Sequence, residues 1–315
     1  MEADFAAAVT HCLEQIPSGR VATCRAIARA FGDVRAAPAV ATWLGEHPET
    51  PSGHRVVRAD GRPVLDEADR GLRREGIHLA SGRVDPARIL GSLPDLEFLG
   101  PLRTEQRRLA AEVIEQDERG PINVVTGVDV SYRGDEMYAA AASVGVADLH
   151  TVEIAMVRKR VTFPYIPTFL AYREFPAIEA VVRRLGRQPD ALLIDGHGRL
   201  HPALFGVACY AGIKLGMPTI GVAKHPLIGR VRSAPESDTT ARPIVIDDII
   251  RGYAWTPPGR ARAIYISVGN RISLGHALAL VRRTTRRGYP EALRIADRAS
   301  RQMSRNEKRE KGATQ

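Results

Sequence analysis

The stretch "VVTGVDVSYRG" (residues 124–134) decides the fold. Its valine-rich run reads as a buried strand, yet Asp129 stands in the middle with apolar neighbours on both sides. An unpaired carboxylate in an apolar interior is costly, so a partner is required. Two further acids share the oddity. In "ALLIDGHGRLHP" (191–202) a short apolar strand runs directly into Asp195, then Gly196 and Gly198. An acid at the C-terminal end of a strand lies where α/β sheets present their ligand sites. The third is Glu174 in "AYREFPAIEAVVRRLG". Pro176 suits a first helical turn and Gly186 a stop, so a helix is expected over about 176–185 with Glu174 at its N-terminus, where the dipole favours an ionised carboxylate.

Each acid alone has an ordinary explanation: a hydrogen-bonded core acid, a turn residue, a helix cap. Together they make an oxygen-donor set for a hard divalent cation such as Mg²⁺. Two such ions can activate a water and steady the leaving oxygen of a phosphodiester. A neighbouring cation also accounts for a carboxylate at Asp129, because it neutralises the buried charge.

Outward from this stretch, strands are expected over 124–132, 137–146 and 151–162, preceded by a helix over 104–116. Helices (about 176–185, 203–215 and 273–285) then alternate with the strands "ALLID", "TIGVA", "IVIDDII" and "AIYISV". Three strands leading into alternating strand and helix predict an α/β fold, a mixed sheet flanked by helices. Gly and Pro in "GSLPDLEFLGPL" (91–102) mark a change of patterning. Before it, "DFAAAVTHCLEQI", "TCRAIARAF" and "AAPAVATWLGEH" have helical spacing, compatible with a small helix-turn-helix domain. The expected division is a DNA-binding domain at 1–92, a larger domain at 100–303, and a polar, disordered tail at 304–315.

The 315 residues include 45 Lys plus Arg against 36 Asp plus Glu, a formal charge of +9 that favours polyanionic partners, nucleic acid first. No apolar run is long enough to span a bilayer and no signal-peptide pattern opens the chain, which excludes a membrane protein of the helical kind. Cys12, Cys24 and Cys209 are odd in number and lack metal-ligand spacing, so a reducing, cytoplasmic setting without disulfides is expected.

"GVDVSY", "PYIPTFLAYRE", "IDGHGRLHP", "TIGVAKHPLIG" and "YISVGNRISL", followed by "LRIADRAS", resemble the endonuclease V family in order and spacing. The resemblance covers about residues 100–300. It implies an RNase H-like sheet and incision of DNA at the second phosphodiester 3′ to deoxyinosine, with Mg²⁺ as cofactor and Mn²⁺ tolerated. It implies Asp129, Glu174 and Asp195 as metal and catalytic acids, His201 as a histidine near the reacting phosphate, and Lys224 as the catalytic lysine. A compact ammonium at a strand end suits charge developing on a phosphoryl oxygen. "PYIP" matches the family's wedge, so Pro164 and Pro167 would stiffen a turn presenting Tyr165 and Ile166 to the gap left by a flipped base. Gly196, Gly198 and Gly221 would line the base pocket, where missing side chains allow close approach. Where the family has a histidine near the metals, this chain has Asn270, which supplies no titratable nitrogen, and His276 lies too far into the next helix to substitute. Asp247 and Asp248 read as structural. Some relatives prefer RNA, so an inosine-specific ribonuclease is the alternative substrate reading, and a monomer is the expected state.

Residues 1–90 resemble the DNA-binding domain of alkylguanine-DNA alkyltransferases through "IPSGRVATCRAIARAFG", "HRVVRADGRP" and "LRREGIHLASGRVD". The acceptor cysteine expected before "HRVV" is Gly53, which has no thiolate to attack with. The expected tyrosine after Thr23 is Cys24, and the expected arginine finger is Pro38. What remains is an inactive module whose Arg25, Arg29 and Arg35 would contact phosphates. The alternatives are a rigid N-terminal cap, an alkyl-lesion sensor, or an alkyltransferase, against which Gly53 argues.

Overall fold

The computed structural model describes residues 4–118, 120–234 and 238–312, with side chains described as far as 306. The chain divides into two compact units, residues 1–105 with 162–167, and residues 106–161 with 168–315.

In the first unit, α1 (Phe5–Glu14) is capped by Asp4, whose carboxylate accepts from Ala7 N. The strand β1 (Ala22–Thr23) leads into α2 (Cys24–Ala30), where the Thr23 hydroxyl accepts from Ala26 N and so satisfies one free amide of the first turn. After α3 (Ala37–Glu46), β2 (Val56–Val57) pairs in parallel with β1, and α4 (Ala68–Arg74) follows. Phe5, Phe31 and Phe98 meet pairwise at 5.4–5.9 Å in tilted or edge-on contacts. Phe163 stacks on Phe98 at 6.3 Å, so the segment 162–167 joins the aromatic cluster of this unit rather than the second domain that its sequence position suggests.

The helix α5 (Gly100–Ala110) starts and ends earlier than the expected 104–116. Pro101 suits its first turn, and Arg199 Nη1 donates to the carbonyl of Ala110 at its last. The second unit then lays down β3 (Val124–Arg133), β4 (Glu136–Gly145), β5 (Thr151–Arg160), α6 (Leu170–Val182), β6 (Ala191–Asp195), α7 (Val207–Leu215), β7 (Thr219–Ala223), β8 (Arg230–Val231), β9 (Ala241–Ile246), β10 (Ile249–Trp255), β11 (Ile264–Asn270), α8 (Leu274–Arg283), the short pair β12 (Thr285–Arg286) and β13 (Tyr289–Pro290), and α9 (Glu291–Gly312). Among the described residues nine strands form one mixed sheet, ordered β5-β4-β3-β6-β7-β11-β10-β9-β8, in which β3, β6 and β7 run parallel. Helices α6 and α7 bury one face, against Val128, Met137, Leu192 and Ile194. Helices α8 and α9 bury the other, against Val125, Leu193, Ile220 and Ile266. This is the RNase H-like arrangement that the motifs imply.

Three local expectations change. Helix α6 begins at Leu170, so Pro176 lies inside it and Glu174 is not at its N-terminus. The buried stripe Ala171, Glu174, Ala177, Ile178, Val181 and Val182 explains why: burial of that face outweighs the one hydrogen bond that the proline removes. The run "IVIDDII" is a hairpin and not one strand. Asp247 (φ 49°) and Asp248 (φ 58°) form its two-residue turn, the left-handed pair that matches strand twist, and Asp248 is paired with Arg232 at 2.9 Å. The tail expected to be disordered from 304 continues α9 as far as Gly312; polar helix formers without proline extend an existing helix at little cost, and only 313–315 lie outside the described residues.

Candidate active site

Parallel register places the acids. Val128 on β3 pairs with Ile194 on β6, so Asp129 and Asp195 follow on adjacent strands, pointing to the face covered by α9. Asp195 pairs with Val222 on β7, and Lys224 lies two residues further along, on the same face. Lys224 Nζ donates to Asp195 Oδ2 at 2.5 Å. Asp195 ends β6 and Lys224 follows β7, whereas Asp129 stands mid-strand, one residue past the last β3–β6 pair, where β3 continues against β4 alone.

Asp129 is 8% exposed and accepts a 2.7 Å hydrogen bond from Ser300 Oγ on α9. Burial, then the charge of Asp195, pushes its carboxyl up to about 7, and the two carboxyls are close enough to hydrogen-bond. Glu174 enters from α6, on the buried stripe. Burial pushes it up to about 8; the Tyr132 hydroxyl, donating to Glu174 Oε1 at 2.9 Å, opposes this, and Asp129 and Asp195 add to it. Arg173 lies over the Tyr132 ring at 4.4 Å. The sequence reading thus brought together Asp129, Asp195, Glu174 and Lys224. It missed Asp297, whose Oδ1 is 3.9 Å from Lys224 Nζ, as well as Ser300 and Tyr132. The signal was present in "LRIADRAS": Leu293, Ala296 and Ser300 are buried along α9, and the acid Asp297 lies three residues before that hydroxyl.

Among the described residues no three His, Cys, Asp or Glu side chains already converge as a metal-ligand set. The chemistry of the cluster nevertheless fits a hard cation. It offers carboxylate oxygens only, two of its acids are raised by burial and mutual repulsion, and a divalent charge would relieve both.

The other expected residues stand differently. His201 is buried, with Nδ1 accepting from Ala203 N and Nε2 donating to the Thr168 carbonyl, so both nitrogens serve the protein. Asn270 pairs with Thr219 at the opposite end of β7 from Lys224, about 16 Å away at strand rise. Its amide joins Ile114 N to the Gly212 carbonyl, so it ties chain segments together and does not stand in for a metal-site histidine. His276 bonds Asp117. The glycines Gly196, Gly198 and Gly221 line no open cradle. A Cβ on Gly221 would meet Gly198 N at 2.4 Å, and one on Gly198 would meet the Val268 carbonyl at 2.0 Å, so their smallness lets backbone pack on backbone. In the first unit Tyr165 is 61% exposed whereas Ile166 is wholly buried, which leaves Tyr165 alone as an available wedge.

Arg25 and Arg29 are exposed one turn apart on α2. Arg35 is exposed but engaged with Asp33 at 2.6 Å. Gly53 is buried against Leu65 and Leu44, and Cys24 is buried with its thiol pushed up to about 11, so neither offers a nucleophile. His54 and Arg55 both bind Glu75, a polar hub that also accepts from Gly19 N.

Residues 107–298 match the family described as endonuclease V, and residues 4–81 match the DNA-binding domain of 6-O-methylguanine DNA methyltransferase. The endonuclease V of Roseiflexus castenholzii is 40% identical over 201 residues, covering 63% of this chain and 90% of that protein. A bifunctional methyltransferase/endonuclease of Picrophilus torridus is 33% identical over 303 residues, 93% of this chain and 95% of that one, so the two-domain order is shared. Endonuclease V of Ciona intestinalis, solved with DNA containing an inosine, superposes with TM-score 0.61 over 67% of this chain and 99% of that one at 22% identity, a likeness of fold. No helix among the described residues is long and apolar enough to cross a membrane.

Proposed function

The chain belongs to the endonuclease V family, and we propose that it nicks DNA at the second phosphodiester 3′ to deoxyinosine, with Asp129, Asp195, Glu174 and Lys224 as its catalytic residues. The observation that supports the assignment of roles is the convergence of Asp129, Asp195 and Lys224 on one face of three adjacent parallel strands, just past their last mutual pairs.

A divalent cation, Mg²⁺ by the all-oxygen donor set, would be held by Asp129, Asp195 and Glu174 and supply charge neutralisation and Lewis acidity at the phosphodiester. The side chains do the rest. Ser300 fixes one oxygen of Asp129 and Tyr132 fixes one of Glu174, so each acid presents its other oxygen. The Lys224 ammonium, beside Asp195, offers a compact positive charge to a phosphoryl oxygen as negative charge grows there. Tyr165 is exposed and aromatic, suited to fill the space of a base that has left the stack. His201 bonds the Thr168 carbonyl and so fixes the backbone just ahead of α6.

The first unit serves as a phosphate-docking module through Arg25 and Arg29, without alkyl transfer, since Gly53 has no thiol. A single nick in an inosine oligonucleotide, dependent on Mg²⁺ and absent from the adenine control, tests the reading. Uncut inosine DNA alongside cut inosine RNA would reassign the substrate to RNA. Transfer of a labelled methyl group from DNA to the protein would overturn the inactive-module reading. Binding should weaken steeply with salt, because phosphate contacts release counterions.

A further inference from the structure

Among the described residues Tyr289 is the aromatic side chain that lies beneath the Lys224 ammonium, and the catalytic arrangement above does not use it. It sits on β13, immediately before the helix that supplies Asp297 and Ser300. The side chain is 8% exposed, and its hydroxyl is buried without a hydrogen-bond partner. Burial, then the charges of Asp195 and Asp129, drives its ionisation upward, so the ring stays neutral across the working pH range. Two cations lie over that ring: Lys224 Nζ at 5.4 Å from the centroid and Arg260 Cζ at 5.3 Å.

A lysine ammonium ends a flexible stem of four carbons and is not oriented by its own geometry. Two anions hold Lys224 here, Asp195 at 2.5 Å and Asp297 at 3.9 Å. A pair of carboxylates fixes the charge in two directions and leaves it free to swing about the line between them. A neutral aromatic face closes that freedom, because its quadrupole attracts a cation placed over it, and more strongly where water is excluded. A carboxylate in the same place would add to the repulsion that already raises Asp129 and Glu174. An aliphatic side chain would fill the space and attract nothing.

We propose that Tyr289 is a positioning residue for Lys224, its aromatic face fixing the ammonium between Asp195 and Asp297 in the orientation from which it meets the scissile phosphate. The ring does this, and the hydroxyl is dispensable. The activity arm of the test rests on the nuclease reading above; the spectroscopic arm does not.

Lys159, Lys214, Lys224, Lys308 and Lys311 are the only lysines, so ¹³C reductive methylation gives a short list of signals, with Lys224 assigned by its loss in Lys224→Arg. The Lys224 methyl signal is expected upfield by ring current in the wild-type chain and in Tyr289→Phe, and at the ordinary lysine position in Tyr289→Leu. In single-turnover nicking at a temperature where both chains are folded, Tyr289→Leu should lower the rate by about tenfold with unchanged affinity for inosine DNA, and Tyr289→Phe should restore it. An unshifted Lys224 signal in the wild-type chain overturns the proposal even if Tyr289→Leu does not fold. So does a Tyr289→Phe rate as low as that of Tyr289→Leu, which would give the role to the hydroxyl, or a Tyr289→Leu rate equal to wild type. If the wild-type chain fails to nick while the signal is shifted, the nuclease reading falls and the placement of Lys224 stands.

Discussion

Asp129 and Asp195 occupy neighbouring positions on one face of the sheet, one rung past the parallel pair Val128–Ile194, with backbones about 4.8 Å apart. A buried carboxylate and a half-buried one at that spacing repel, and the fold carries the cost for the sake of the site. Asp129→Asn keeps the shape and the Ser300 contact while removing the charge. Its turnover should fall by at least about 10³-fold, the scale on which preorganised charge acts at a reacting centre, while binding of inosine DNA is largely kept. In chelator near neutral pH its thermal midpoint should rise by a few degrees, because the repulsion is gone. Near-wild-type turnover in Mg²⁺, or a lowered midpoint in chelator, would count against the assigned role.

Glu75 gives the first unit a pH dependence of opposite sense to that of a raised acid. Burial alone would raise its pKa, but hydrogen bonds from Arg55, His54 and Gly19 N win and lower it from 4.5 to about 2. Between those values the unfolded chain binds the proton more readily than the folded one, so stability rises with pH there. The contribution is complete above about pH 4.5 and is lost as pH falls towards about 2; it amounts to at most about 3 kcal/mol. Glu75→Gln should therefore lower stability at neutral pH and flatten the acid limb of a denaturation series. An unchanged acid limb in that variant would show that the hub is not what holds this unit together.

Much of the second unit was legible because its signals are local. Valine-rich runs, strand-end acids and glycine stops fix β3, β6 and β7, and the parallel order of these strands brings Asp129, Asp195 and Lys224 together without further information. What could not be read depends on packing between distant segments. Gly127 looks like an ordinary strand glycine, but a Cβ there would meet the backbone of Ala292 and Leu293 at 2.3 Å, so it is the place where α9 lies directly on β3. That approach alone brings Ser300 and Asp297 to the acids. The start of α6 is hidden in the sequence because Pro176 reads as a first-turn proline, while the apolar stripe that carries the helix back to Leu170 declares itself only by packing. The motif resemblance puts Asn270 near the metals, whereas its strand β11 runs antiparallel to β7 and carries it to the end of β7 away from Lys224.

Ser300 tests whether α9 matters to the chemistry. Its hydroxyl donates to Asp129 Oδ2 at 2.7 Å and also to the Asp297 carbonyl at 3.1 Å, so it orients the acid from the helix backbone. Ser300→Ala leaves one carboxylate oxygen without its donor. Turnover should fall by about tenfold at unchanged affinity for DNA, with a stability loss of about 1 kcal/mol. Ser300→Thr, which keeps the hydroxyl, should recover part of the rate if the added methyl is accommodated. Full activity in the alanine variant would reduce the contact to a packing detail.

Tyr165 and Ile166 are adjacent in the chain, and their burial separates their roles. Tyr165 is 61% exposed and its loss removes little packing, so Tyr165→Ala should leave the thermal midpoint within a degree or two of wild type. If it fills the space of an extruded base, cutting of inosine in duplex DNA should fall by tenfold or more. Cutting of the same inosine in a single strand, where no stack has to be held open, should fall much less. Ile166 is fully buried, so Ile166→Ala should do the reverse: it should cost about 2–5 kcal/mol of stability as a cavity forms, and affect both substrates alike. Equal losses on duplex and single strand for Tyr165→Ala would remove the wedge role from the "PYIP" turn and make that turn a structural element of the first unit.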